Sequence, residues 1–432
     1  MDVVCNDKGV LFIEASATGV TVEELAKDEV SGHFEGIPAK LVEDLAQCGD
    51  YDISTIPWSF DAPLFIIQVT ELSCGGICIS VKFNHQLLDG AGTWNFVKSW
   101  AEVCCGKSMS LKPVVVETPP CIAVSDDHPT DFELPAGFGR ACNADLLKLS
   151  TKSTSQSAEY DMKCFAFKKE MIQKMKLENP GFSSFQLLTS FIWSRVNAAR
   201  DLKDDETTTL VFAANCRGRI KTVPKGFVGM AVVYDHVSTK VSSLRAQGNE
   251  LRNGADLLKK KIGDLLTEEG AGLYSKAVSS GDRGFTAFPQ SKMETALIVG
   301  SSFYFPVFED FGFGKPVGMT LVRPSDDSKL YYFPGKEEGD VVAYIGLTSH
   351  AMRKLSFPQK VWSSQPREIH VQWPVLEHDD LRQLAAQQRQ EVLKLFNELK
   401  QAGTLSEHLG GCMIDLLGRA GGFEEAERVV AP

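Results

Sequence analysis

Along residues 76–85, GICISVKFNH, apolar and polar positions alternate: Ile77, Ile79, Val81, Phe83 and His85 share one face, Cys78, Ser80, Lys82 and Asn84 the other. A period of two over that length predicts a strand, with His85 ending it on the apolar face. After LLDGAG the period lengthens. In TWNFVKSWAEVCCG, Trp94, Val97, Trp100 and Ala101, with Val103 or Cys104, recur at helical spacing, and Gly106 closes the helix. The unit is strand, tight turn, helix, with a histidine at the turn.

The same reading extends along the chain. GVLFIEA near the start is a strand, and residues 117–160, rich in proline, serine and acidic side chains, predict a long irregular crossover. A strand at MKCFAFKKE follows. In NPGFSSFQLLTSFIWSRVNAAR, Ser183 or Ser184 can cap a helix that carries Phe185, Leu188, Phe191, Ile192 and Val196 inward. TTTLVFAANC over 207–216 predicts a strand, and RAQGNELRNGADLLKKKIGDLLTEEG a long amphipathic helix. Strand-rich sequence runs through TALIVGSSFYFPVFEDFGFGKP and GDVVAYIGLTS. This alternation of strands and helices is the signature of an α/β protein. From about His378 the chain turns helical and charged, in two amphipathic segments, RQEVLKLFNELKQAG and HLGGCMIDLLGRAGGFEEAERVV.

Bulk properties narrow the function. The 432 residues suffice for two or three domains with sizeable cores, and 43% hydrophobic with 23% charged residues is ordinary for a globular protein. A net charge of −11 argues against a nucleic-acid surface, yet permits a small anionic ligand in a local basic pocket. No apolar run reaches spanning length; ALIVGSSFYFPVF comes nearest and is broken by serines and a proline. MDVVCNDKGVLF has no basic leader region and no cleavage pattern, so a cytoplasmic protein is expected. The eleven cysteines are scattered, and Cys74 and Cys78 of CGGIC lack the CxxC spacing of a zinc or redox site, which predicts free thiols used as small apolar side chains.

His85 and Asp89 of HQLLDG admit several chemistries. A metal site would want a second histidine nearby, and the nearest is His128, so no metal is expected. A serine-hydrolase triad would want a GxSxG elbow, which the chain lacks. A lone general base remains: a histidine facing inward at a strand end can take a proton from a substrate hydroxyl near neutral pH, while Asp89 shapes the loop. On spacing alone, a satisfied core histidine is the commoner outcome.

HQLLDG resembles the HxxxDG motif of the plant BAHD acyltransferases, which move acyl groups from coenzyme A thioesters. Their second signature, DFGWG, is similar to DFGFGKP at 310–316, with Phe313 in place of tryptophan. GVLFIEASATGVTVEEL, SSFQLLTSFIWSRVNAAR, NCRGRI and GFVGMAVV also resemble the family, and the likeness covers about residues 1–355. Two signatures in the right order are far more specific than one HxxxD. The resemblance implies that His85 is the catalytic base and Asp89, followed by Gly90, a structural aspartate turned away from substrate. It implies that Asp310, Phe311, Gly312, Phe313 and Gly314 form a loop remote from the reacting atoms, with the two glycines in tight-turn positions. A buried Asp310 would need a cation, for which Arg217 and Arg219 are candidates. Ser183 and Ser184 fall where the family's helix N-terminus approaches the coenzyme, although helix capping explains them equally well. Ser301, Ser302 and Phe303 replace a family Thr-Ser-Trp that serves the acceptor pocket and the oxyanion. Asn215 stands where an aspartate is common, and Met230 where an asparagine is usual.

The implied fold is two chloramphenicol acetyltransferase-like domains with mixed sheets and flanking helices. The first would span 1–150 with the crossover, the second 151–357, and a linker with a helical tail 358–432. Because the chain opens at the GVLFIEA strand, the first domain is expected to be incomplete. CMIDLLGRAGGFEEAERVV resembles about one pentatricopeptide repeat, too little to bury its own apolar face, so RNA binding is not expected. The expected activity is transfer of an acyl group, such as hydroxycinnamoyl, from acyl-CoA to a hydroxyl (less readily an amine) of a small acceptor. No bound cofactor, no membrane and a monomer are expected. The alternative is a truncated, non-catalytic remnant.

Overall fold

The computed structural model describes residues 10–27, 29–34, 37–46, 65–83, 85, 88–114, 139–141, 160–272, 285–287, 295–321 and 328–357. The tail from 358, expected to be helical, and most of the crossover expected over 117–160 lie outside the described residues.

Two sheets organise the described residues, beside a small ribbon in which β6 (Gly139–Ala141) pairs antiparallel with β10 (Phe285–Ala287). The first is three-stranded, in the order β1 (Leu11–Ala17), β4 (Phe65–Leu72), β5 (Ile77–Phe83). β1 runs parallel to β4, and β4 antiparallel to β5 with Phe65 opposite Phe83. The short helices α1 (Val22–Leu25) and α2 (Ala39–Leu45) pack Leu25 and Leu45 against Leu72. Thr21 starts α1 with a capping box: its hydroxyl accepts from Glu24 N, and the Glu24 carboxylate accepts from Thr21 N.

The second sheet has six strands: β7 (Tyr160–Phe167), β13 (Val341–Thr348), β12 (Lys329–Pro334), β11 (Ala296–Ser301), β8 (Thr207–Asn215) and β9 (Val232–Lys240), in that spatial order. β11 is parallel to both neighbours and the other pairings are antiparallel, so the sheet is mixed. β13 is buried along nearly its whole length because both of its faces are covered. Val341, Ala343, Ile345 and Leu347 point into a core built on the Ser184–Ala199 helix, through Leu188, Ile192, Trp193 and Val196. Val342 and Tyr344 point the other way, onto Val307, Phe305, Phe308, Met319 and Trp94. That second face joins the two halves of the molecule.

Much of the join is a small hairpin. β2 (Glu29–Val30) and β3 (His33–Phe34) turn at Ser31 and Gly32, both with positive φ (51° and 85°), the backbone of a tight two-residue turn. A Cβ at Gly32 would lie 2.7 Å from the Lys336 Cβ, a second reason for glycine there. The hairpin inserts into the C-terminal half through Met319 N to Gly32 O, Phe34 N to Met319 O and Lys336 N to Ser31 O, each at 2.8 Å. His33 is fully buried between Phe308, Phe333 and Tyr344. Its Nε2 donates to Pro334 O at 2.8 Å, which leaves Nδ1 to accept from the Tyr344 hydroxyl at 3.0 Å. Burial pulls its pKa down to about 4, partly offset by the Pro334 bond.

The sequence reading placed β1, β5, β7, β8, β13 and the Ser184–Ala199 helix within a few residues and did not read β4, β9 or β12. The helix expected across RAQGNELRNGADLLKKKIGDLLTEEG begins only at Glu250, after a 3-10 turn at Ala246–Gly248, and runs to Leu265. The strand-rich reading of 295–316 is corrected: β11 ends at Ser301, and residues 302–318 form irregular structure packed across the second sheet.

Candidate active site

Helix α3 (Gly90–Cys104) organises the site. Its stripe of Val97 and Ala101, with the partly buried Trp94, Trp100 and Cys104, follows the predicted helical period. Gly106, at φ 67°, ends it: Lys107 N reaches Glu102 O and Gly106 N reaches Val103 O, both at 2.9 Å, closing the last turn. Asp89 caps the other end with extended backbone, its Oδ1 accepting from Gly92 N at 2.8 Å. Asp89 Oδ2 accepts from Arg217 Nη1 and from Ala231 N, each at 2.7 Å. Both side chains are almost wholly excluded from water, at 1% and 3% exposure. The guanidinium donates further, Nε to Phe227 O at 2.8 Å, Nη2 to Gly229 O at 2.7 Å and Nη1 also to Asn215 Oδ1 at 3.3 Å. Asn215 adds its Oδ1 as acceptor for Arg217 N at 3.0 Å, a neutral partner that leaves Asp89 as the guanidinium's countercharge. This clamp ties the turn before α3 to the loop after β8.

His85 sits in that turn, two residues beyond the end of β5. It is exposed, a correction to the expectation of an inward-facing strand residue. Its ring lies 5.6 Å from that of Phe83. The departure has a physical cause: Asp89 is committed to Arg217 and to Gly92 N, so the backbone must leave the sheet to deliver it. His85 lines a cavity of about 1700 Å³ whose walls come from both sheets, including Ile79, Trp94, Ser183, Phe185, Tyr234, Ser301 and Phe305. Burial, and more weakly the Asp89 charge, raise the Tyr234 pKa, so that phenol stays neutral. Gly90 meets the opposite wall, where an added Cβ would lie 2.6 Å from Phe305 Cζ.

The DFGFG loop grips the far end of α3. Cys105 Sγ donates to Asp310 O at 3.1 Å, and Phe311 is buried edge-on to Trp100 with ring centroids 4.7 Å apart. Phe313 stacks beside Phe311 at 6.3 Å. α3 has fifteen residues, which at 1.5 Å per residue separates the loop from the Asp89 end by about 22 Å. Among the described residues no cation pairs with Asp310: its Oδ1 accepts from Gly312 N at 2.7 Å and Gly314 N at 2.8 Å. Arg217, one of the two candidates for that role, serves Asp89 instead. Gly312 and Gly314 hold φ of 105° and 110°, which lets the backbone wrap round that carboxylate.

The remaining predicted residues fall unevenly. Ser183 lines the cavity and caps the Ser184–Ala199 helix in a capping box with Gln186, while Ser184 begins the helix outside the cavity wall. Ser301, at φ 58°, donates its hydroxyl to Tyr332 O at 2.7 Å, so that proton is already engaged. Phe303 packs edge-on against Tyr332 at 5.6 Å and on Tyr304 at 4.5 Å. Ser302, also in the wall, accepts from Tyr304 N at 3.2 Å through its hydroxyl oxygen. Sequence reasoning missed His33 and the hairpin beneath it, and offered Arg217 as a candidate for a buried Asp310 rather than for Asp89. A lone HF dipeptide carries no periodic signal, and one arginine cannot be matched to one of two aspartates without the fold. Among the described residues no cluster of His, Cys, Asp or Glu could hold a metal ion, and no helix is long and apolar enough to cross a membrane.

Fold and site together define a chloramphenicol acetyltransferase-like α/β protein. Solved structures with this fold include F. graminearum TRI101 complexed with coenzyme A and T-2 mycotoxin (TM-score 0.62, 14% identity, covering 80% of this chain and 78% of that one). Another is vinorine synthase, with TM-score 0.57, 15% identity, and coverage of 81% and 75%. Residues 1–360 match the model described as the Transferase family, and the chain belongs to that family, the BAHD acyltransferases. Curated relatives include the Arabidopsis thaliana BAHD acyltransferase DCR, 29% identical over 80% of this chain and 70% of the relative. A hydroxycinnamoyl-CoA:5-hydroxyanthranilate N-hydroxycinnamoyltransferase of Avena sativa is 28% identical over 82% and 78%. The Arabidopsis fatty alcohol:caffeoyl-CoA acyltransferase is 26% identical over 81% and 77%. The chain is therefore a coenzyme A-dependent acyltransferase with acyl-CoA as its co-substrate.

Proposed function

We propose that the chain transfers a hydroxycinnamoyl-type acyl group to a hydroxyl acceptor, with His85 as general base. The observation that carries this reading is the placement of His85: exposed to a cavity lined by both sheets, on a turn fixed by the buried Asp89–Arg217 pair. His85 takes the acceptor hydroxyl proton as the oxygen attacks the thioester carbonyl. The tetrahedral intermediate then expels the thiolate, the carbon–sulfur bond breaks, and the imidazolium returns the proton to sulfur. The products are an ester and free coenzyme A, with no covalent enzyme intermediate. Ser183, at a helix N-terminus in the cavity wall, faces the coenzyme. Ser301 gives up its bond to Tyr332 if it is to donate to the oxyanion; Ser302, whose oxygen rather than proton serves Tyr304, is the readier donor. Relatives named for caffeoyl- and hydroxycinnamoyl-CoA support the donor class.

His85→Ala tests the assignment. Turnover falls by roughly 10²–10⁴, the scale of losing a general base, while coenzyme binding and Tm stay near wild type because the side chain is exposed. Equal losses of turnover, binding and Tm would show a structural histidine. The engaged Ser301 hydroxyl favours one rival reading, a non-catalytic remnant; wild-type protein that binds acyl-CoA but turns over no alcohol or amine would establish it.

A further inference from the structure

The bonds that fix the His85 turn run between groups of the protein itself. Asp89 Oδ1 accepts from Gly92 N at 2.8 Å, and Asp89 Oδ2 from Arg217 Nη1 and Ala231 N at 2.7 Å each. The Thr93 hydroxyl donates to Asp89 O at 3.1 Å. Asp89 is 1% exposed and Thr93 3%, whereas the imidazole four residues before Asp89 stands exposed. No substrate atom takes part in this frame, so it holds the base whether or not an acceptor is bound. An enzyme whose acceptor must first close the site keeps water from its activated donor. A base fixed in advance lacks that protection.

The cavity brings water to that base. Its volume of about 1700 Å³ exceeds the roughly 300–1,000 Å³ of a pocket for one small ligand, as a chamber for a coenzyme and an acceptor together must. A water molecule takes only about 30 Å³ in the liquid, so water enters wherever acyl-CoA leaves the chamber unfilled. His85, exposed and in the cavity wall, meets it there. Water and an alcohol present the same O–H to the imidazole, so the base itself does not tell them apart.

We infer that the protein is also a thioesterase, which hydrolyses acyl-CoA when no acceptor fills the cavity. His85 takes a proton from water as the water oxygen bonds to the thioester carbonyl carbon. Ser302, whose hydroxyl oxygen serves Tyr304 N at 3.2 Å, offers its proton to the oxyanion whichever nucleophile attacks. The tetrahedral intermediate then expels the thiolate, the carbon–sulfur bond breaks, and the imidazolium returns its proton to sulfur. The products are free coenzyme A and a carboxylic acid, which releases its own proton to solvent near neutral pH. Water is the only co-reactant. The inference rests on His85 as general base, but hydrolysis needs no acceptor specificity, so the two activities can fail separately.

The test gives the full chain p-coumaroyl-CoA with no acceptor, in heavy-oxygen water, and follows p-coumarate by chromatography and mass. The acid is expected to form well above the rate without protein and to carry one oxygen atom from solvent. His85→Ala and His85→Asn should each lower that rate by roughly 10²–10⁴, with coenzyme A binding and Tm near wild type. A panel of alcohols and amines is then added, and ester or amide should form at the expense of acid, because the nucleophiles compete for one base. Ester or amide with an acceptor, but no acid without one, would overturn the thioesterase and leave the transferase. Acid that both His85 variants lose, with no ester or amide from any acceptor, would support the thioesterase and overturn the transferase. Acid formation that the variants retain, or no product of either kind, would overturn the thioesterase.

Discussion

Replacing Asp89 with asparagine should unfold the protein far more readily while barely changing the shape of the side chain. The carboxylate accepts three hydrogen bonds, one from Gly92 N at Oδ1 and two, from Arg217 Nη1 and Ala231 N, at Oδ2. An asparagine offers one acceptor oxygen and one NH₂. If the oxygen faces Arg217 and Ala231, the NH₂ points at Gly92 N–H and the helix loses its cap, worth about 1 kcal/mol. If it faces Gly92, the NH₂ points at a guanidinium. In both orientations Arg217 remains charged, 3% exposed and without its countercharge. Breaking a buried pair on one side costs about 3–5 kcal/mol, a large share of a typical stability of about 5–15 kcal/mol. Urea unfolding followed by tryptophan fluorescence measures it, at low and at high sodium chloride. The loss should be the same at both, because salt screens a dry pair weakly. Adding Arg217→Met should recover part of the loss by removing the stranded charge. A loss under about 1 kcal/mol, or one that shrinks with added salt, is the behaviour of a solvated surface pair and would refute the clamp.

The buried hairpin histidine gives a pH signature. His33 is neutral in the folded protein down to about pH 4 but titrates near 6.5 once unfolded. Only the unfolded chain takes up the proton between those values, so its contribution is intact above pH 6.5 and declines as pH falls to about 4. The total is about 3 kcal/mol at 1.36 kcal/mol per unit. His33→Gln, which can keep the donation to Pro334, should flatten urea midpoints across that window; an unchanged slope would place the linkage elsewhere. Gly90→Ala gains helix propensity yet drives its Cβ to 2.6 Å from Phe305, whose ring stacks on Trp94 at 6.4 Å in the cavity wall. A net loss of about 1–3 kcal/mol is expected from overpacking, relieved by Phe305→Leu; a stabilised Gly90→Ala would show that the ring yields freely.

Local pattern was enough to locate α3, the helix capped by Ser183, β5, β8 and β13, because each carries its own period and its own punctuation within a dozen residues. It was enough, too, to single out His85 and Asp89, since a polar pair beside a glycine, between a strand and a helix, is conspicuous in sequence. It could not say which way those side chains turn. β5 stops at Phe83 and His85 swings to the surface because Asp89 is pulled toward Arg217, 128 positions away along the chain. What supports Asp310 could not be read from local pattern for the same reason. Two backbone N–H groups at positive φ satisfy that carboxylate, and backbone donors leave no compositional trace. His33, β12 and the irregular 302–318 stretch take their form from the face of β13 they cover, a surface that exists only once residues 30, 94, 307 and 342 have been brought together. Period and capping are properties of neighbours in sequence and can be read directly; countercharges, cavity walls and the joint between the sheets are properties of neighbours in space, which folding alone selects.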